Sequence, residues 1–157
     1  MIMKDVVISI TGVQQGPNGP NAIELVTQGQ YGVERDKIHL SYQETELTGM
    51  AGTETIITVH PKRVEMQRKG GVNTQMVFQE GQKHFFLYET PFGATTMGVN
   101  TNRVQCALNE RGGYMQIDYT IDMESGAVYV YGIIASIVIP LVIFAFGTVV
   151  YVKRKHM

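Results

Sequence analysis

Apolar and polar residues alternate in short runs through the first 125 residues of the chain. Val6, Ile8 and Ile10 share one face of a run from Lys4 to Val13. Ile38, Leu40 and Tyr42 share a face opposite His39, Ser41 and Gln43 in a run from Lys37 to Glu44. A period of two is the mark of a strand that is half buried in a sheet. Further runs span Ile23 to Gly32, Thr53 to Val59, Arg63 to Arg68, Asn73 to Phe78, His84 to Thr90, Ala94 to Asn102 and Tyr114 to Asp122. Turn residues separate them, such as Lys69-Gly70-Gly71, Glu80-Gly81-Gln82 and Pro91-Phe92-Gly93. Gly16 to Asn21 reads as a loop, because Pro and Gly at that density exclude a central strand. Arg103 to Glu110 reads as a short helical turn. Nine strands joined by hairpins predict an antiparallel meander. Such a sheet usually closes on itself to remove its edges. The expected fold is all-β, an up-and-down barrel of about nine to ten strands, with a flattened sandwich as the alternative.

The pattern changes after residue 125. From Ala127 to Val152 there is no charged residue. A helix of this length spans about 39 Å, ample for a hydrocarbon core of ~30 Å. Tyr129, Tyr131 and Tyr151 lie near its ends, as interfacial aromatics do, and Lys153, Arg154 and Lys155 follow at once. The expected organisation is a barrel domain over 1–125, a transmembrane helix over 126–152 and a short basic tail over 153–157. The basic flank alone would place the tail in the cytoplasm. A β-domain without a signal-peptide pattern, and with one cysteine, points instead to a membrane-anchored chain whose barrel faces the cytoplasm.

Charge follows the same division. The chain has 13 Lys and Arg against 14 Asp and Glu, a net charge of -1. Residues 1–125 hold 10 of the bases and all 14 acids, so they carry -4, and the end of the chain carries +3. Without a basic face, nucleic acid is not an expected partner.

Several stretches in this order resemble a known family. They are Val6-Val7-Ile8-Ser9-Ile10-Thr11-Gly12, Leu40-Ser41-Tyr42, Glu46-Leu47-Thr48-Gly49-Met50 and Asn73-Thr74-Gln75-Met76-Val77-Phe78. Tyr88-Glu89-Thr90-Pro91-Phe92-Gly93, Gly98-Val99-Asn100-Thr101 and Ile117-Asp118-Tyr119 continue the match. Residues 1–122 thus resemble the YwiB-like proteins, small bacterial β-barrels of unknown function placed with the calycin, lipocalin-like barrels. The resemblance implies a cytoplasmic barrel of about ten strands with no established activity. It also implies one more closing strand at the position where this chain has its apolar stretch. Either Ala127 to Gly132 supplies that strand in shortened form, or the barrel stays open beside a membrane anchor.

The chemistry is sparse. No G-x-S-x-G, H-E-x-x-H, phosphate-binding loop or C-x-x-C occurs, so no catalytic residue, cofactor or metal is assigned. His39, His60 and His84 lack metal-ligand spacing and read as surface or rim residues, His60 as solvent-exposed. His84 or His39 remains a minor candidate for an axial haem ligand. Glu44, Glu46, Glu89 and Asp118 read as acids on solvated faces, and Cys106 as incidental. The aromatics carry more. Tyr42, Phe78, Phe86, Tyr88, Phe92 and Tyr119 fall on apolar faces or in a turn, and Thr74 joins them as a polar inward candidate. Such residues fill a small barrel or line the cavity of a larger one. The expected function is non-enzymatic binding of a small apolar ligand or a protein partner. The alternatives are an interaction module with a filled barrel and an enzyme with a polar site at the barrel mouth.

Overall fold

The alternation resolves into strands whose inward residues are the apolar ones. The structure, a computed structural model, describes residues 2–16, 19–123 and 147–154. Ten strands run in chain order: β1 (Lys4–Gly16), β2 (Gly19–Glu34), β3 (Lys37–Gln43), β4 (Thr53–Val59) and β5 (Val64–Gly70). They continue as β6 (Asn73–Phe78), β7 (Lys83–Thr90), β8 (Gly93–Asn109), β9 (Gly112–Met123) and β10 (Gly147–Arg154). Each strand pairs antiparallel with the next, and β10 pairs with both β9 and β1 to close the barrel. The closed ring excludes the flattened sandwich.

Three expectations change. Strand β1 runs to Gly16 and β2 begins at Gly19, so Pro20 lies inside a ladder that pairs Gln15 with it. A proline is tolerated at the start of a strand, where its missing N–H costs little. Strand β8 continues through Arg103–Asn109 instead of turning into a helix. A bulge between Thr101 and Arg103 shifts the register against β9, which reverses the inside–outside phase and hides the strand from a period-two reading. Val104 then pairs with Ile117 and Cys106 with Met115.

The third change concerns the apolar C-terminal stretch. The last residues of the expected transmembrane helix, 147–152, belong to strand β10 instead. This end is rich in Val and Tyr, which favour pleated pairing. Among the described residues no helix is long and apolar enough to cross a membrane. Residues 124–146, including Ala127 to Gly132, lie outside the described residues. Lys153 and Arg154 are part of the barrel wall, paired with Val7 and Val6, rather than a tail beyond a span.

Register partners form layers across the interior. One row runs Tyr31, Leu40, Ile57, Met66, Met76. The next runs Val33, Ile38, Val59, Val64, Phe78. Ile8, Leu40, Met76, Phe78, Met97, Val99 and Met115 are fully buried in this core. Each such side chain contributes about 1.5–3 kcal/mol by leaving water.

Candidate ligand site inside the barrel

A third row has a different chemistry. It passes through Val6, Gly29, Tyr42, Thr55, Arg68, Thr74, Tyr88 and Thr95, one residue each from β1 to β8. Tyr42, Thr55, Arg68, Thr74 and Tyr88 are all buried. The interior therefore has a polar layer near one end and apolar layers beneath it. Gly29 belongs to this row because a Cβ there would run into Ile8 Cδ1 and the carbonyl oxygen of Ser41.

Arg68 is turned inward by the same alternation that buries Val64 and Met66 on β5. It is only 3% exposed. Glu44 follows β3 in phase with Leu40 and Tyr42, and its amide donates to the Thr53 carbonyl at 2.8 Å. Its carboxylate is held by the hydroxyls of Thr55 at 2.7 Å and Thr48 at 2.8 Å. Arg68 Nε lies 3.8 Å from Glu44 Oε1 and donates to Thr55 Oγ1 at 3.4 Å. The 3.8 Å separation makes this an ion pair without a short direct hydrogen bond, with Thr55 bridging the two charges.

Two tyrosines respond to this environment. The Tyr42 hydroxyl is pushed well above the ordinary phenol range by burial, with the charge of Glu44 adding to the effect. Tyr88 is raised chiefly by burial, while Arg68 pulls it down and Glu44 pushes it up. Both remain neutral phenols over the physiological range.

The connection between β3 and β4 covers this end of the barrel. It carries one 3-10 turn, Glu46–Thr48, capped by Thr45, whose Oγ1 accepts from the Leu47 amide at 3.2 Å. Thr48, which bonds Glu44, and Met50 are buried in this connection. At the neighbouring β5–β6 turn, Gly70 adopts φ +132 and its amide donates to Asn73 Oδ1 at 3.1 Å. The Val72 amide donates to Thr53 Oγ1 at 3.1 Å.

The layer is not fully satisfied. Arg68 Nη1 and Thr74 Oγ1 are buried without a hydrogen-bond partner. They belong to residues directly opposite each other on β5 and β6. An unsatisfied buried polar atom costs about 1–3 kcal/mol, and more on a charged group.

The sequence-derived candidates divide between the two regions. Tyr42, Thr74 and Tyr88 stand in the polar layer. Phe78 and Tyr119 pack ring against ring in the apolar part, with centroids 4.9 Å apart and planes at 58°. Phe86 is buried with them. Phe92 is not part of the interior: it is 74% exposed in the β7–β8 turn, where its amide donates to Thr90 Oγ1. The sequence reading missed Arg68 and placed Glu44 on a solvated face. Period-two phase was the available signal, since both residues continue the buried parity of their strands.

The remaining candidates are scattered. Glu46 and Glu89 are exposed. Asp118 accepts from Gln116 Nε2 at 3.0 Å. His39 Nε2 lies 3.6 Å from Glu34 and His84 Nε2 lies 3.1 Å from Gln79 Oε1. His60 is largely buried rather than solvent-exposed, with Nε2 3.4 Å from Glu65. Cys106 is free and exposed. Among the described residues no three His, Cys, Asp or Glu side chains gather as a metal site would require.

This architecture is similar to that of known proteins. The uncharacterized β-barrel protein YwiB of Bacillus subtilis (strain 168) is 29% identical over 121 residues, which is 77% of this chain and 82% of the relative. The crystal structure of the ywiB protein from Bacillus subtilis superposes with a TM-score of 0.76 at 20% identity, covering 97% of this chain and 92% of the other. The model of a domain of unknown function, DUF1934, matches residues 8–133, and the chain belongs to that family.

Proposed function

We propose that this chain is a non-enzymatic, calycin-like barrel that takes a small, largely apolar molecule into its interior. The observation that carries the reading is the seam between β6 and β7. Only Asn73↔Glu89 and Thr74↔Tyr88 are register partners there, although both strands continue beyond these pairs. The other neighbouring pairs have longer ladders, such as the eight pairs from Lys83↔Asn100 to Thr90↔Gly93 between β7 and β8. This part of the wall is therefore held by the fewest ladder pairs, and a guest entering laterally would break the fewest of them here.

What lies behind the seam supports the same reading. Met66, Met76, Met97 and Met115 are buried in the interior with Phe78, Phe86 and Tyr119. Methionine is unbranched and polarizable, so it repacks around a guest at lower cost than a β-branched residue. An interior built of such side chains suits an apolar body. Among the described residues no group of catalytic side chains accompanies it, and the polar layer consists of a neutralised ion pair with hydroxyls.

Saturable binding of an environment-sensitive naphthylamine dye to the full chain, followed by fluorescence and native mass spectrometry, tests the reading. The expected result is one dye per chain with a blue-shifted emission. A Gln75→Cys/Leu87→Cys pair in a Cys106→Ser background, oxidised to staple the seam, should slow uptake at least about tenfold. Absence of saturable binding would remove the proposal. A second reading, strand addition by a protein partner at the seam, is favoured by the exposure of Phe85 and Leu87 on the outer face of β7. Unchanged dye uptake after stapling, with loss of a co-purifying polypeptide, would favour it instead.

A further inference from the structure

We infer that the ligand carries an uncharged hydrogen-bond acceptor, such as a ketone, ester or amide oxygen, and that Arg68 and Thr74 receive it. This rests on the binding reading above and identifies the chemical class of the guest.

The first argument is the inventory of unmet hydrogen bonds. Arg68 Nη1 and Thr74 Oγ1 lack partners, and their residues are 3% and 7% exposed. A guanidinium N–H can only donate, and a hydroxyl can donate alongside it. The two atoms belong to register partners on adjacent strands, so one acceptor atom placed between them can serve both.

The second argument is charge. Glu44 and Arg68 are the only ionic side chains among the buried residues described. The Glu44 carboxylate faces Arg68 and is held in place by Thr48 and Thr55. The layer is therefore neutral before any ligand enters. A carboxylate guest would compete with Glu44 for the same guanidinium and leave one buried negative charge without a counter-ion. Burial of an unpaired charge is strongly unfavourable. A cationic guest would face two donors. A neutral acceptor meets neither obstacle.

The third argument is position. The ladder between β6 and β7 ends at Thr74↔Tyr88, so the seam begins beside the residue that offers the hydroxyl. A molecule entering laterally would bring its polar end to Thr74 and Arg68. Its apolar body would lie along Met76 and Phe86, both buried below that layer.

The test compares three probes that share one dimethylaminonaphthalene body, measured on the full chain. One bears a propionyl ketone, one lacks the acyl group and one bears a carboxylate in its place. The ketone should bind about tenfold more tightly than either of the others. Thr74→Val, nearly isosteric and without the hydroxyl, should bring the ketone to within roughly threefold of the acceptor-free probe. Thr74→Ser should restore the preference, and thermal unfolding of both variants checks that the fold is retained. Equal affinity for the ketone and the acceptor-free probe would overturn the inference while leaving the binding reading intact, because the unmet donors would then serve only water. Tightest binding of the carboxylate would overturn the uncharged class. Failure of all three probes to bind would remove the binding reading and this inference together.

Discussion

Cutting the Glu44–Arg68 pair from one side and then from both is the most direct test of the polar layer. Arg68→Met keeps the length of the side chain and removes its charge. It leaves a carboxylate whose side chain is 1% exposed, held by the hydroxyls of Thr48 and Thr55 but without a counter-charge. Glu44→Gln leaves the guanidinium, 3% exposed, without a counter-charge. Removing one partner of a buried ion pair costs about 3–5 kcal/mol. For a chain of this size that corresponds to a fall in Tm of roughly 6–20 °C. The double variant Glu44→Gln/Arg68→Met buries no charge, so its stability should return to within about 1 kcal/mol of the parent or exceed it. Urea unfolding at neutral pH, followed by far-ultraviolet circular dichroism, gives the three differences and their coupling. Single losses below about 1 kcal/mol would show that water reaches the pair and would refute the buried-layer reasoning. Additive losses in the double variant would show that the two side chains do not act as a pair.

Three other perturbations probe different parts of the barrel. Gly29→Ala places a methyl group against Ile8 Cδ1 and the Ser41 carbonyl, so it should cost about 1–3 kcal/mol in denaturant unfolding; a neutral result would remove the packing argument for that glycine. Phe78→Ala empties a fully buried site and should cost about 3–5 kcal/mol, whereas Phe92→Ala, at an exposed turn position, should change stability by less than about 0.5 kcal/mol; thermal scans compare the two. Glu65 is held below the usual carboxylate range, first by its hydrogen bond from Arg63 and then, against a small burial effect, by His60. A lowered folded pKa means that its stabilisation is present above the ordinary Glu pKa of about 4.3 and is lost as pH falls through the lowered value. The stability difference between the parent and Glu65→Gln should therefore shrink on acidification, and a difference that grows would contradict the sign.

Strands β3, β4 and β6 were legible because each is a short run with one buried face and a turn at either end. The β8 extension was not, because the bulge between Thr101 and Arg103 changes which parity points inward. The C-terminal strand was hidden for another reason. It ends a run without charge from Ala127 to Val152, and an uncharged run of that length satisfies the hydropathy of a membrane helix as readily as that of a wall strand. Only pairing with β1 and β9, separated from it by long stretches of sequence, distinguishes the two. The site was half legible. Tyr42, Thr74 and Tyr88 were found from their polar heads on apolar faces. Arg68 and Glu44 have the same phase, but a charge at an inward position reads as a strand end until its counter-charge is seen, and 24 residues separate the two in sequence.

The position of the polar layer distinguishes a stability role from a binding role. A barrel that needed only to stay folded could fill the row with apolar side chains and avoid both the desolvation of two charges and the unmet bonds at Arg68 and Thr74. The structure instead uses two buried hydroxyls, Thr48 from the 3-10 turn and Thr55 from β4, to hold Glu44 and Arg68 in a neutral arrangement. It leaves the unpartnered donors on the β5–β6 side, next to the wall with the fewest ladder pairs. Glu44, Thr48 and Thr55 approach from the β3–β4 side, where the covering connection shields them. Charge compensation and open donors are thus separated within one layer: Glu44 and Thr55 fix the guanidinium, and the unmet donors belong to the register pair Arg68 and Thr74 on β5 and β6. A purely structural ion pair would gain nothing from unmet donors on the strand pair next to the wall with the fewest ladder pairs.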